Sequence, residues 1–115
     1  MTQFALLLHH SPNRYQNLTE DAAMSIFKDY MSWMQSNMDS GVCSGGYKLT
    51  DDGSVSLSSK SGDIVVHERS FADMAEILGG LMLIEAADIE AAVTIAKSHP
   101  HLTHNDHIEI RQLAS

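Results

Sequence analysis

The sequence predicts an α+β fold: a ferredoxin-like split βαβ sheet carrying an extra β-hairpin. Three observations lead there. Apolar or alternating runs of strand length lie near both ends and at residues 79–86, two helical stripes separate strands, and an alternating segment with turn signals occupies the middle. The resulting order is β-α-β, hairpin, β-α-β, which places both helices on one face of the sheet. The 115 residues read as a single domain, residues 1–115, because one core commonly serves roughly 100–200 residues.

Each element has its own signal. Phe4–Leu8 is apolar and too short for a helix, so it reads as a buried strand ending at His9-His10. Ser11–Asn17, with Pro12, is a loop. Thr19 is expected to cap a helix whose first turn holds Glu20 and Asp21, where the dipole favours acids. Met24, Phe27, Met31, Met34 and Met38 recur at spacings of three and four and predict the buried face, with Ile26, Tyr30 and Trp33 on its flank. Gly41 ends that helix. Val42–Leu49 is a strand in which Gly45-Gly46 marks a bulge or a close backbone approach. Turns at Asp51–Gly53 and Ser61-Gly62 frame the hairpin strands Ser54–Ser58 and Asp63–His67. Phe71–Leu78 is a short helical or irregular connection with Phe71 in the core, followed by the apolar strand Gly79–Ala86. Asp88 caps a second helix, Ile89–Ser98, that buries Ile89, Ala92, Val93 and Ala96 and stops at His99-Pro100. His107–Leu113 alternates as the last strand.

Composition removes several functions. Seven Lys plus Arg against fifteen Asp plus Glu leave a net charge of −8, which excludes the basic face that a nucleic acid requires. The single Cys43 cannot form an internal disulfide, so a reducing, cytoplasmic setting is expected. Without a basic neighbour it reads as an inert buried thiol. Phe4–Leu8 is too short for a signal or membrane segment. Gly45-Gly46 lacks the spacing of a phosphate loop, and no other cofactor motif stands out, so no cofactor is expected. A chain of this size also needs no structural metal to fold.

Candidate site residues fall into four groups. His99, His101, His104, Asp106 and His107 have spacings that can bring two imidazoles to one metal ion. They lie in a loop with no helical frame, which favours solvated histidines over a metal centre. On the last strand, Ile108 and Ile110 should pack on the helices, leaving His107, Glu109 and Arg111 on the opposite face, with Glu85 near them. Arg111 there either pairs with a carboxylate or holds an anionic ligand by its fork. Glu68, Arg69 and Glu76 flank Phe71 as a possible pocket rim. One of His9 and His10 is expected on the helix-free face, at a strand end that reaches a cleft.

The segment Phe71–Glu85, with its Leu78-Gly79-Gly80 and apolar strand, resembles the signature of the YCII-related domain, in its DGPF-type branch. The resemblance continues through Asp88, the alanine-rich helix, Pro100 and Ile108–Arg111. Where the branch has Asp-Gly-Pro-Phe, this chain has Glu68-Arg69-Ser70-Phe71. The resemblance implies a domain that dimerises as an α/β barrel. It names no reaction, although some members of the branch are linked with extracytoplasmic-function sigma factors. In smaller members a His early in the first helix and an Asp near its end are a proposed catalytic pair. Those positions fall on Tyr30 and Asp39 here, and a phenol with an unperturbed pKa of about 10 is a poor general base.

Two strands apolar at nearly every position ask for cover on both faces, which helices on one side cannot supply. A homodimer meeting sheet to sheet would provide it and enclose His10, Glu109 and Arg111 in a cleft. The leading expectation is therefore a dimeric ligand-binding or regulatory module for a small anionic ligand. A small-molecule enzyme using His10, Tyr30 or Asp39 is the first alternative, and a metal-binding protein built on the late histidines is the second.

Overall fold

The computed structural model describes residues 1–104 and 106–114. The strands are β1 (Thr2–His10), β2 (Cys43–Lys48), β3 (Gly53–Lys60), β4 (Asp63–Ser70), β5 (Ile77–Ala86) and β6 (His107–Gln112). The helices are α1 (Glu20–Asp39) and α2 (Ile89–Lys97), and a 3-10 turn spans Pro100–His104. The main sheet is antiparallel with order β2-β5-β1-β6. Each βαβ unit thus straddles a strand of the other, the split arrangement that the element order predicts. The chain closes no barrel on its own, and β3–β4 forms a separate two-stranded sheet.

Local signals set the helix ends. The Thr19 hydroxyl accepts from the Ala22 amide at 3.1 Å, and the Asp88 carboxylate accepts from the Ala91 amide at 2.9 Å. Gly41, at φ +81°, ends α1 in the left-handed region. The Val42 and Gly41 amides donate to the Asn37 and Met38 carbonyls, which satisfies the last turn.

Phe4, Leu6 and Leu8 of β1 meet Ile84, Met82 and Gly80 of β5 on the helix-covered face. Trp33, Ala92 and Ala96 complete that core, with Ile108 and Ile110 packed against it as predicted. The methionine stripe of α1 is a correction. Ile26 and Trp33 are the buried residues, whereas Met24, Phe27, Met31 and Met38 are exposed. The apolar arc of α1 is wider than the sheet can cover, and the large Trp33 takes the inner position. Ile89 is likewise exposed, and Phe71 is half-buried rather than core. No helix among the described residues is long and apolar enough to cross a membrane.

The hairpin stands away from the core, with every residue from Ser54 to Ser70 exposed. The radius of gyration is 16.3 Å, against roughly 13 Å for a compact chain of this length. Register places Val55, Leu57, Ile64 and Val66 on one hairpin face, and all four are exposed.

Leu6, with no solvent exposure on the central strand β1, is expected to carry much of the stability. Leu6→Ala should cost roughly 2–5 kcal/mol in urea unfolding, the range for a leucine that leaves a core cavity.

Candidate functional site

The site begins at an irregularity in the sheet. The β1–β5 register shifts between Leu8 and His9, so that Gly80 faces Leu8, Leu78 faces His9, and Gly79 is the extra residue. A Cβ on Gly79 would lie 1.9 Å from His10 Nε2. The missing side chain is what seats the imidazole, which is 3% exposed. His10 Nδ1 lies 2.7 Å from the Ser11 carbonyl, which can only accept, so Nδ1 carries the proton. Nε2 has no hydrogen-bond partner among the described residues and stands 3.4 Å from Asp51 Oδ1. Asp51 also pairs with Lys48 Nζ at 2.7 Å.

A second polar network joins the 3-10 turn to α1 and β1. His101 Nε2 faces the His9 carbonyl at 2.8 Å, so it carries the proton and Nδ1 is the acceptor. The Tyr30 hydroxyl donates to that Nδ1 at 2.6 Å and accepts from Arg14 Nη2 at 3.1 Å. Arg14 in turn pairs with Asp106 at 2.9 Å. His99 Nδ1 accepts from the His101 amide at 3.0 Å, leaving Nε2–H aimed at Met82 Sδ, 3.0 Å away. The His99 ring also packs on Trp33, centroid to centroid 4.4 Å. Burial lowers the pKa of His99 to about 4, with the nearby His101 adding to the effect. Burial lowers His101 as well, against the opposing hydrogen bond to the His9 carbonyl. Burial raises the Tyr30 phenol, against the lowering influence of Arg14.

Of these groups, His10, Arg14, Tyr30, His99 and His101 line one end of a cavity of about 330 Å³ between α1 and the sheet. Its walls are Phe27, Met31, Met34 and Met82, and Gly46 forms part of the lining. A Cβ on Gly46 would come within 3.0 Å of Met34 Sδ, the close approach its position in β2 predicts. Phe27, Met31 and Met34 of the stripe are therefore pocket wall, whereas Met24 and Met38 lie outside the lining.

The predicted residues divide sharply. His10 and Tyr30 line the cavity, but Asp39, Glu68, Glu76, Glu109 and Arg111 do not. Asp39 is exposed at the end of α1, where it accepts from Gln35. Glu68 is exposed on the hairpin. His10 has the parity of Phe4, Leu6 and Leu8 and points toward the helices, so His9 is the one that shares a face with Glu109 and Arg111. Arg111 is exposed, and no carboxylate of a described residue lies within 4.0 Å of it. His99 and His101, expected in solvent, are instead each 1% exposed, with their ring nitrogens facing partners within the protein. The side chain of His104 lies outside the described residues. His107 instead contacts Glu76 at 2.8 Å. The sequence signal for the cavity is Gly79-Gly80, two glycines inside a buried strand, which mark a close approach from elsewhere.

The folded pKa of His99 lies below its ordinary value of 6.5. On acidification the unfolded chain takes the proton first, so stability present above pH 6.5 is lost as the pH falls toward 4. Urea unfolding should therefore show about 2 kcal/mol less stability at pH 5 than at pH 7. A flat profile over that interval would contradict a neutral, buried His99.

No curated protein matches the chain in sequence. Among solved structures it is similar to 5-chloro-2-hydroxyhydroquinone dehydrochlorinase from Burkholderia phenoliruptrix, in complex with 2,5-dihydroxybenzoquinone. The two are 10% identical, with a TM-score of 0.56 over 97% of this chain and 93% of the other. That likeness establishes the shared fold. The sequence model of the YCII-related domain matches residues 2–114, nearly the whole length, and the chain belongs to the YCII-related domain family.

Proposed function

We propose that the protein binds a small ring-shaped molecule bearing a hydroxyl or carbonyl oxygen in the cavity between α1 and the sheet. The observation that carries this reading is the cavity's division into an apolar wall of Phe27 and methionines and a polar end at Tyr30, His101 and His10. Binding sites for small molecules combine such a wall with a few convergent polar groups. The charges at the polar end are already paired, Arg14 with Asp106 and Lys48 with Asp51. That pairing favours a neutral or weakly acidic oxygen over the strongly anionic ligand that Arg111 suggests in the sequence. The compound in the structural neighbour's complex, a dihydroxybenzoquinone, belongs to the same class of flat, oxygen-bearing rings, and supports the reading by analogy of fold. Placement in the DGPF-type branch rests on Phe71 and the Gly79-Gly80 segment and stays part of this proposal.

A thermal-shift series with phenols, hydroxybenzoquinones and benzoate tests it. Phenols or quinones should raise the melting temperature saturably and more than benzoate. Tyr30→Phe should weaken the binding about three- to tenfold, the scale of one net hydrogen bond. No stabilisation by any ring compound, or binding untouched by Tyr30→Phe, would overturn the assignment.

A second reading, proton-transfer catalysis, is favoured by His10 Nε2, which lacks a hydrogen-bond partner among the described residues and stands beside Asp51. A ring C–H proton taken by Nε2, with the C–H electron pair delocalised onto the ring's carbonyl oxygen, would make an imidazolium that Asp51 stabilises, and the same nitrogen would return the proton to carbon. Deuterium from solvent should then enter a ring C–H position faster with the native protein than with His10→Gln.

We further propose a homodimer. Leu7, Leu81 and Leu83 are half-buried on the helix-free face, and the apolar hairpin face is uncovered. An obligate interface commonly buries on the order of 2,000 Å² or more in total. Sedimentation equilibrium at micromolar protein should give about twice 12.6 kDa. Leu57→Asp with Val66→Asp should shift the mass toward the monomer, and a stable native monomer would contradict the dimer.

A further inference from the structure

On the face of the sheet opposite the cavity, register brings two distant histidines together. His9 of β1 and His107 of β6 are direct cross-strand partners, and their rings stack with centroids 4.6 Å apart. Glu76, in the connection before β5, reaches both. Its Oε1 lies 3.8 Å from His9 Nδ1 and its Oε2 lies 2.8 Å from His107 Nδ1. One donor atom from each residue lies within 4.8 Å of the other two. Tetrahedral zinc with ligands at 2.0–2.1 Å places its donors about 3.3 Å apart; because the two separations run to different oxygens of Glu76 and the His9 and His107 rings are nearly parallel, the side chains must turn before one ion meets all three donors. His107 and Glu76 are exposed, so small rotations of their side chains are free to close the set.

We propose that His9, His107 and Glu76 form a binding site for a divalent transition metal ion, with Zn²⁺ the best match to two imidazoles and a carboxylate. Three protein ligands leave a fourth position open, the arrangement of zinc sites that bind water or substrate rather than purely structural ones. His9 and Glu76 also border a second, open cavity of about 550 Å³, lined further by Arg69, Phe71 and Met74. An exogenous oxygen ligand on the metal would enter from there, with the Arg69 guanidinium positioned in the same cavity. The site does not rest on the ring-binding cavity, which lies on the other face of the sheet beyond His10. It also differs from the late-histidine cluster suggested by spacing, from which it takes His107 alone.

Untagged protein titrated with Co²⁺, followed by visible absorption and then by Zn²⁺ competition, tests the proposal. One Co²⁺ per chain should bind with the intense bands of four- or five-coordinate cobalt, and Zn²⁺ should displace it. His107→Gln and Glu76→Gln, both at exposed side chains, should each weaken binding by at least about tenfold, the lower bound seen when even an outer-shell partner is removed. His67→Gln, at an exposed histidine on the hairpin, should leave binding unchanged. Absence of saturable absorption would overturn the site. So would affinity that is unaltered in both ligand variants or equally reduced in the His67 variant.

Discussion

The imidazole of His101 is the constraint on which the arrangement of layers depends. Its Nε2–H is held by the main-chain carbonyl of His9 in the central strand, and its Nδ1 takes the hydroxyl proton of Tyr30 from the long helix. One neutral ring thus fixes α1, β1 and the 3-10 turn relative to one another. A buried polar network is stabilising only when its members are satisfied, and here each imidazole nitrogen of His99 and His101 faces a donor or acceptor. Protonating His99 would set a second N–H against the amide of His101, which adds to the cost of burying charge.

The same network explains why a cavity sits where a core might have closed. Tyr30, His99 and His101 line the space between α1 and the sheet, while Gly46, Gly79 and Gly80 contribute no side chains to fill it. Gly79 does more, since its absent Cβ is the space that His10 occupies. Sheet irregularity, glycine and buried histidine are parts of one device.

Much of the fold is legible in the sequence because its signals are local. Thr19, Gly41 and Asp88 act within a few residues of where they stand, and the hairpin is written in its turns and alternation. The face that α1 buries is not local information. Its apolar arc is broad enough to offer two answers, and tertiary packing chose Trp33 over the methionines. The late histidines look solvated in the sequence for the same reason. The partners that bury them, Tyr30, Met82 and the His9 carbonyl, lie far away along the chain. Of the candidate site, His10 and Tyr30 were identifiable by residue type and position, while Arg14, Asp51, His99 and His101 acquire meaning only through these long-range contacts. The strand parity that separates His9 from His10 follows from Phe4, Leu6 and Leu8, yet assigning it a function required knowing that Gly79 leaves room on that side.

Neutral imidazoles at His99 and His101, with their protons on defined nitrogens, hold the layers in place. Long-range ¹H–¹⁵N correlation spectra of the histidine side chains at neutral pH test this directly. His99 and His101 should appear as Nε2–H tautomers, and His10 should carry a proton on Nδ1. Averaged nitrogen shifts for His99 and His101, typical of solvated rings exchanging between tautomers, would contradict the account.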